Sequence, residues 1–164
     1  MRRLIRRAAP IFLATAALFG VFAVSPSQTV AARTTPFDSL LGSWRGSGQV
    51  QLKSGKERLS CNAYYTGGGS QLGMAIRCQS GDSKVHIRSK LSLSGSRITG
   101  NWEERTYNAT GVATGTARPG KISIRVSGSI TGSMVVNFSR SRQSVSISTS
   151  GSPLQRVSIN LTRS

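Results

Sequence analysis

The chain has 164 residues, 22 Lys or Arg against five Asp or Glu, and a formal net charge of +17. With one His, two Cys and five carboxylates, it is short of material for a metal site, a Ser-His-Asp triad or a paired-carboxylate hydrolase. The length fits one domain, and the charge favours polyanionic partners over neutral or cationic ones.

Residues 1–32 read as an export signal. Arg2, Arg3, Arg6 and Arg7 form a basic n-region. Ala8 to Val24 is an apolar run, and Val30-Ala31-Ala32 puts small residues at −3 and −1 before Arg33. A retained membrane anchor is the alternative. The run is only 17 residues and contains Pro10, at the lower edge of a bilayer span. No Cys lies near the junction, which argues against a lipoprotein, and the paired arginines lack the rest of a twin-arginine motif. The general secretory route is expected, with the periplasm or the exterior as destination. Cleavage near Ala32 leaves 132 residues with 18 basic and five acidic side chains, a net charge of +13. Residues 33–41 then form a short lead-in to a single domain over 42–164.

That domain is predicted to be all-β. Strands are expected near 44–52, 57–66, 71–79, 84–94, 97–106, 110–117, 121–127, 130–139, 143–149 and 154–163. The signal is period-2 alternation. Ile122, Ile124 and Val126 share one face, against Lys121, Ser123, Arg125 and Ser127. Val85, Ile87, Leu91 and Leu93 share another, against His86, Arg88, Lys90 and Ser92. Turn signals such as Gly67-Gly68-Gly69, Ser94-Gly95-Ser96 and Pro119-Gly120 separate the stretches. Short links make successive strands antiparallel neighbours, and a meander of eight to ten such strands loses its edges by closing into a barrel. A two-sheet sandwich is the alternative, and no fixed repeat supports a β-solenoid.

Cys61 and Cys78 flank the Gly67-Gly69 turn almost symmetrically. Leu59, Cys61, Ala63 and Tyr65 share one face of the first strand, and Leu72, Met74, Ile76 and Cys78 one face of the second. A cross-strand disulfide is therefore predicted, worth on the order of 3 kcal/mol by the loop-entropy model. There is no Cys-x-x-Cys and no His cluster for a redox or metal role.

The domain opens with Gly42-x-Trp44-x-Gly46-x-Gly48, leading into Val50 and Leu52. A Leu40-Leu41 turn would enter the first strand and Trp44 would plug the barrel base. This resembles the opening strand of calycin-type barrels, the lipocalins and fatty-acid-binding proteins, and more closely that of nitrobindin-like haem-binding barrels. The resemblance covers about a dozen residues and the strand count. It implies a barrel that carries a small hydrophobic ligand or haem. It also implies a basic residue near the C-terminus against the Trp, for which Arg163 and Arg156 are candidates. Nitrobindin-like proteins place a late His on the haem iron. Here no His follows His86, and His86 falls on the polar face with Arg88 and Lys90, so no cofactor is expected.

The remaining motifs yield no chemistry. Glu103 and Glu104 are adjacent and must point to opposite sides of a strand; one is expected to face inward and pair with an arginine, the other to make a surface ion pair. No Gly-x-Ser-x-Gly elbow and no phosphate loop occurs. The expected protein is not an enzyme. The first reading is a small apolar or amphipathic ligand held in a lumen lined by Trp44, Tyr65, Met74, Ile76, Trp102 and Phe138. The second is a basic envelope-associated module, with Lys84, Arg88, Lys90, Arg140 and Arg142 meeting anionic lipid, lipopolysaccharide or acidic glycan and the barrel as scaffold. Membrane contact would be peripheral, and nucleic acid is not expected for an exported chain.

Overall fold

A computed structural model describes residues 34–81 and 83–164; the predicted export signal lies outside them. Ten antiparallel strands run through these residues: β1 (Gly42–Leu52), β2 (Gly55–Gly68), β3 (Gln71–Ser80), β4 (Ser83–Ser94), β5 (Arg97–Glu104), β6 (Ala109–Arg118), β7 (Lys121–Gly128), β8 (Thr131–Phe138), β9 (Arg142–Ser150) and β10 (Leu154–Arg163). Each pairs with its neighbour in sequence, and β1 pairs with β10 to close the barrel. Sandwich and solenoid are excluded. The alternation dictates which side faces in. In β3, Leu72, Met74, Ile76 and Cys78 are buried while Gln71, Arg77 and Gln79 are exposed. Closure leaves no strand edge with unpaired amides.

Cys61 stands directly opposite Cys78 in the β2–β3 ladder and the two are disulfide-bonded, with Cα atoms 4.2 Å apart. The predicted hairpin staple is present on the inner face.

One end of the barrel is plugged. Residues 36–40 form a turn, and Phe37, Leu40 and Trp44 are at most 1% exposed. The indole N–H of Trp44 donates to the Leu40 carbonyl at 2.7 Å. The Arg163 guanidinium lies over the Trp44 ring, 4.3 Å from its centroid. It also donates to the carbonyls of Ser39 and Arg140, each at 2.7 Å, and of Leu41. Arg163, not Arg156, therefore covers the Trp; Arg156 pairs with Gln51 near the opposite end. Asp38 fastens the plug to the β2–β3 turn by accepting from the backbone N–H of Thr35 at 2.6 Å and of Gly69 at 2.8 Å. The segment expected as a mere lead-in is thus the barrel's floor. Gly46 and Gly48 let β10 approach, since a Cβ at either would lie about 2 Å from the carbonyl oxygens of Asn160 and Ser158.

At the opposite end the links between strands are short turns. Half-buried Leu52, Ile87, Val126, Ile130, Ile147 and Leu154 ring the inside of this mouth. Glu104 is buried there. It does not pair with an arginine, as the sequence suggested, but accepts from the backbone N–H of His86, Thr106 and Tyr107 at 2.7, 3.1 and 2.7 Å. Thr106 and Tyr107 lie in the β5–β6 turn and His86 in β4 beyond the end of the β4–β5 ladder, and a carboxylate with four lone-pair sites satisfies all three amides. Glu103 faces out, 3.9 Å from Arg105.

Two predictions follow from these contacts. Arg163→Lys keeps the charge but loses the planar fork that serves three carbonyls, and should cost about 1–2 kcal/mol, read as a lower denaturation midpoint with unchanged slope. The backbone donors to Asp38 hold its carboxyl below the usual range. Burial pushes Glu104 up, but its three N–H donors outweigh that and leave it lowered. Both groups stabilise the fold above their unfolded pKa values, about pH 4, and that contribution is lost as pH falls through the lowered folded values. Thermal melts from pH 6 to pH 2 should show this decline, and Asp38→Asn with Glu104→Gln should flatten it.

Candidate functional site

The inward-facing candidates do not form one surface. Trp44 belongs to the plug, with its N–H and one ring face already engaged. Phe138 is half-buried at the same end. Ile76, Tyr65, Met74 and Trp102 are all buried in the interior. The ladder sets Tyr65, Met74, Ser89 and Trp102 side by side in one inner row. The Tyr65 hydroxyl donates to Gln143 Oε1 at 3.0 Å, and burial drives its phenol well above the ordinary range despite that bond. Ser89 Oγ, Trp102 Nε1 and Gln143 Nε2 are buried without partners. Buried polar atoms of this kind call for water or a guest.

Ser89 and Gln143 were missed in the sequence reading, although a signal existed. Ser89 occupies the gap between Ile87 and Leu91 on the apolar parity of β4, and Gln143 precedes Val145 and Ile147 on that of β9. A polar residue in an apolar register is a buried polar group.

Large side chains fill the interior: Ile122, Ile124, Met134, Val136, Val145, Val157, Ile159 and Leu161 are all buried with the residues above. Two cavities open outside. The larger, about 800 Å³, crosses β2 to β6. Two ladder rows build its walls and floor. The first is Tyr64, Ala75, Arg88, Glu103 and Thr110; the second is Thr66, Gly73, Lys90, Asn101 and Val112. Gly73 and Ala75 make a low floor, and a Cβ on Gly73 would lie 2.6 Å from Thr66 Oγ1. Tyr64 is 54% and Val112 51% exposed, at opposite ends of the groove. The smaller cavity, about 430 Å³, lies over β1 and β10 among Gln49, Gln51, Lys56, Arg156 and Ser158.

Exposed cations lie all round the outer wall, Arg45, Arg97, Arg118, Lys121, Arg125 and Arg156 among them, and are densest over β2 to β4. Outward positions of β2, β3 and β4 carry Lys56, Arg58, Arg77, Lys84, Arg88 and Lys90, with no carboxylate among the described residues. Those of β9 read Arg142, Ser144, Ser146, Ser148 and Ser150. The five predicted surface cations are split accordingly: Lys84, Arg88 and Lys90 line β4, whereas Arg140 and Arg142 sit beside the plug, where Arg140 lends its carbonyl to Arg163. His86 faces outward, as its alternation required. It accepts from Arg77 Nε at 3.3 Å, and its pKa is lowered by burial first, then by Arg77, Arg88 and Arg105. The three guanidiniums thus add to the effect of burial, and Glu104 opposes it. Among the described residues Arg88 and Lys90 make no ion pair, and no group of three or more His, Cys, Asp or Glu is placed to hold a metal.

No family model matches the chain, and no curated protein matches it in sequence. Solved structures do match its fold. Rv2717c from M. tuberculosis superposes with a TM-score of 0.63 at 14% identity, over 77% of this chain and 93% of that one. The S-type phycobiliprotein lyase CPES from Guillardia theta superposes with a TM-score of 0.56 at 12% identity, over 77% of this chain and 89% of that one. At such identities the likeness concerns architecture alone, that of a closed antiparallel β-barrel.

Proposed function

We propose that the protein is a non-enzymatic, exported binding module, and that the outer groove across β2 to β6 receives an anionic partner while the barrel serves as scaffold. The observation that carries this reading is the pair Arg88 and Lys90, exposed and, among the described residues, free of ion pairs, on a concave wall to which β2 and β3 add only cations and β5 the single acid Glu103. Cations that face a concavity concentrate the field and attract a polyanion more strongly than the same charges on a convex surface. The filled interior supports the outside as the working face, and the Cys61–Cys78 bond is in keeping with an oxidising compartment.

The test uses inorganic polyphosphate as a simple polyanion. Arg88→Ser with Lys90→Ser should weaken binding at least tenfold, whereas Arg125→Ser with Arg142→Ser, an equal change in net charge on the other wall, should leave it within about twofold. Binding should weaken between about 50 and 200 mM salt. Equal losses in the two double variants would reduce the interaction to net charge and overturn the reading.

A second reading, a small amphipathic guest in the lumen, is favoured by the three unpartnered atoms of Ser89, Trp102 and Gln143. The fold neighbours, one of them a phycobiliprotein lyase, are in keeping with it. Met74 and Met134 would re-pack around such a guest, since unbranched thioethers adapt readily. On this reading native mass spectrometry of the natively expressed protein shows a mass above that of the polypeptide. Ser89→Ala then costs about 1 kcal/mol by removing a partner of the guest, whereas a gain in stability would mean the hydroxyl is simply unpartnered.

A further inference from the structure

We infer that the partner of the β2–β6 groove is an acidic oligosaccharide, bound with a sugar ring against Tyr64 and its carboxylate or other anionic group between Arg88 and Lys90. The inference rests on the reading of this groove as the binding surface and names its ligand class. Three features select that class. The first is shape. Adjacent strands lie about 4.8 Å apart, so four steps give the groove a length of about 19 Å. That suits a few linked rings, while the flat surface of a bilayer does not enter a concavity.

The second feature is the chemistry along the groove. Tyr64 stands half-exposed at one end as a stacking wall. The side chains of Thr66, Asn101 and Thr110 offer neutral donors and acceptors beside the small floor of Gly73 and Ala75. Hydroxyl-rich ligands need such alternation of ring faces and hydrogen-bonding groups. Channels for single-stranded nucleic acid instead stack successive bases on several exposed aromatic rings, and of the two aromatic residues lining this groove only Tyr64 is exposed, Trp102 being buried.

The third is charge placement. Arg88 and Lys90 lie two residues apart on one face of β4, about 7 Å along the strand. Glu103 opposes Arg88 in the ladder and is the acid on the groove wall, with Arg105 on its far side at 3.9 Å. It offsets part of the Arg88 charge and so limits affinity for any anion.

The probe is tetragalacturonate, with neutral maltotetraose, phosphatidylglycerol vesicles and oligo-thymidylate as comparisons. The wild-type protein should bind tetragalacturonate and not maltotetraose. Tyr64→Ala should weaken tetragalacturonate about tenfold yet leave polyphosphate unchanged, because the ring contributes no charge. Glu103→Gln should tighten tetragalacturonate several-fold by removing the opposing charge. Tyr64 and Glu103 are surface side chains, so both variants should fold as the parent does, checked by their melts. The imidazole of His86, the single histidine, adjoins Arg88 and gives a local NMR signal that should shift on binding. If polyphosphate binds through Arg88 and Lys90 but tetragalacturonate does not, or if Tyr64→Ala leaves tetragalacturonate unaffected, the ligand class is wrong while the groove stands. Preferential binding of vesicles or oligo-thymidylate overturns it likewise. If neither polyphosphate nor tetragalacturonate binds, the groove itself fails as the site.

Discussion

Arg163 ties the two ends of the described chain together, and the barrel depends on that tie. A closed sheet needs its first and last strands in register, and β1 and β10 meet along nearly their whole length. The guanidinium at the end of β10 holds carbonyls of the entering segment, Ser39 and Leu41, and of the β8–β9 turn, Arg140, while it lies on Trp44. A planar, always-charged fork can do both at once, whereas an ammonium cannot. With Phe37 and Leu40 beneath, one end of the barrel becomes a packed floor. Asp38 then locks that floor to the next hairpin.

The wall shapes what remains for binding. Inward positions near the seam are glycines that let β1 and β10 crowd together, and the rest of the interior holds branched aliphatics, two methionines, the disulfide, the rings of Tyr65 and Trp102, small alanines and the polar side chains of Ser89 and Gln143. The disulfide and the Ser80–Glu57 hydrogen bond, 2.5 Å long, fasten β2 and β3 near the mouth. The interior is consequently a core with a few unpartnered polar atoms. The outer wall across β2 to β6 carries the concave, positively charged surface. A lumen guest and a surface partner use opposite faces of the same strands: Met74 and Ser89 look in, and Ala75, Arg88 and Lys90 look out. One strand pair can therefore serve both without competition for side chains.

Much of the fold was legible because β structure writes its faces into the sequence with a period of two. All ten strands, their antiparallel order and the Cys61–Cys78 pairing followed from alternation and turn chemistry, because the Gly67–Gly69 turn sets the register of its own hairpin. Glu103 and Glu104 were correctly sent to opposite faces. The partners of the inward one were not foreseen, because an arginine is the usual expectation and the free amides of His86 at the end of the β4–β5 ladder and of Thr106 and Tyr107 in the turn are invisible until the strands and the β5–β6 turn are built. Ser89 and Gln143 were readable as polar breaks in an apolar register but were passed over in favour of the large side chains around them.

The sequence by itself determined the class of the fold, its staple and the sign of its charge, since each of these depends on residues close in the chain or on composition. The resemblance of its opening strand to calycin-type barrels implied a C-terminal basic residue over Trp44, with Arg163 and Arg156 as candidates. Only the tertiary structure decided between them, because the end of β10, not its start, meets the floor. It alone assembled the groove, whose wall draws Tyr64, Ala75, Arg88, Glu103 and Thr110 from five different strands. Alternation says which way a side chain points. It does not say how the wall curves, and curvature is what turns a scatter of surface cations into a concave binding face.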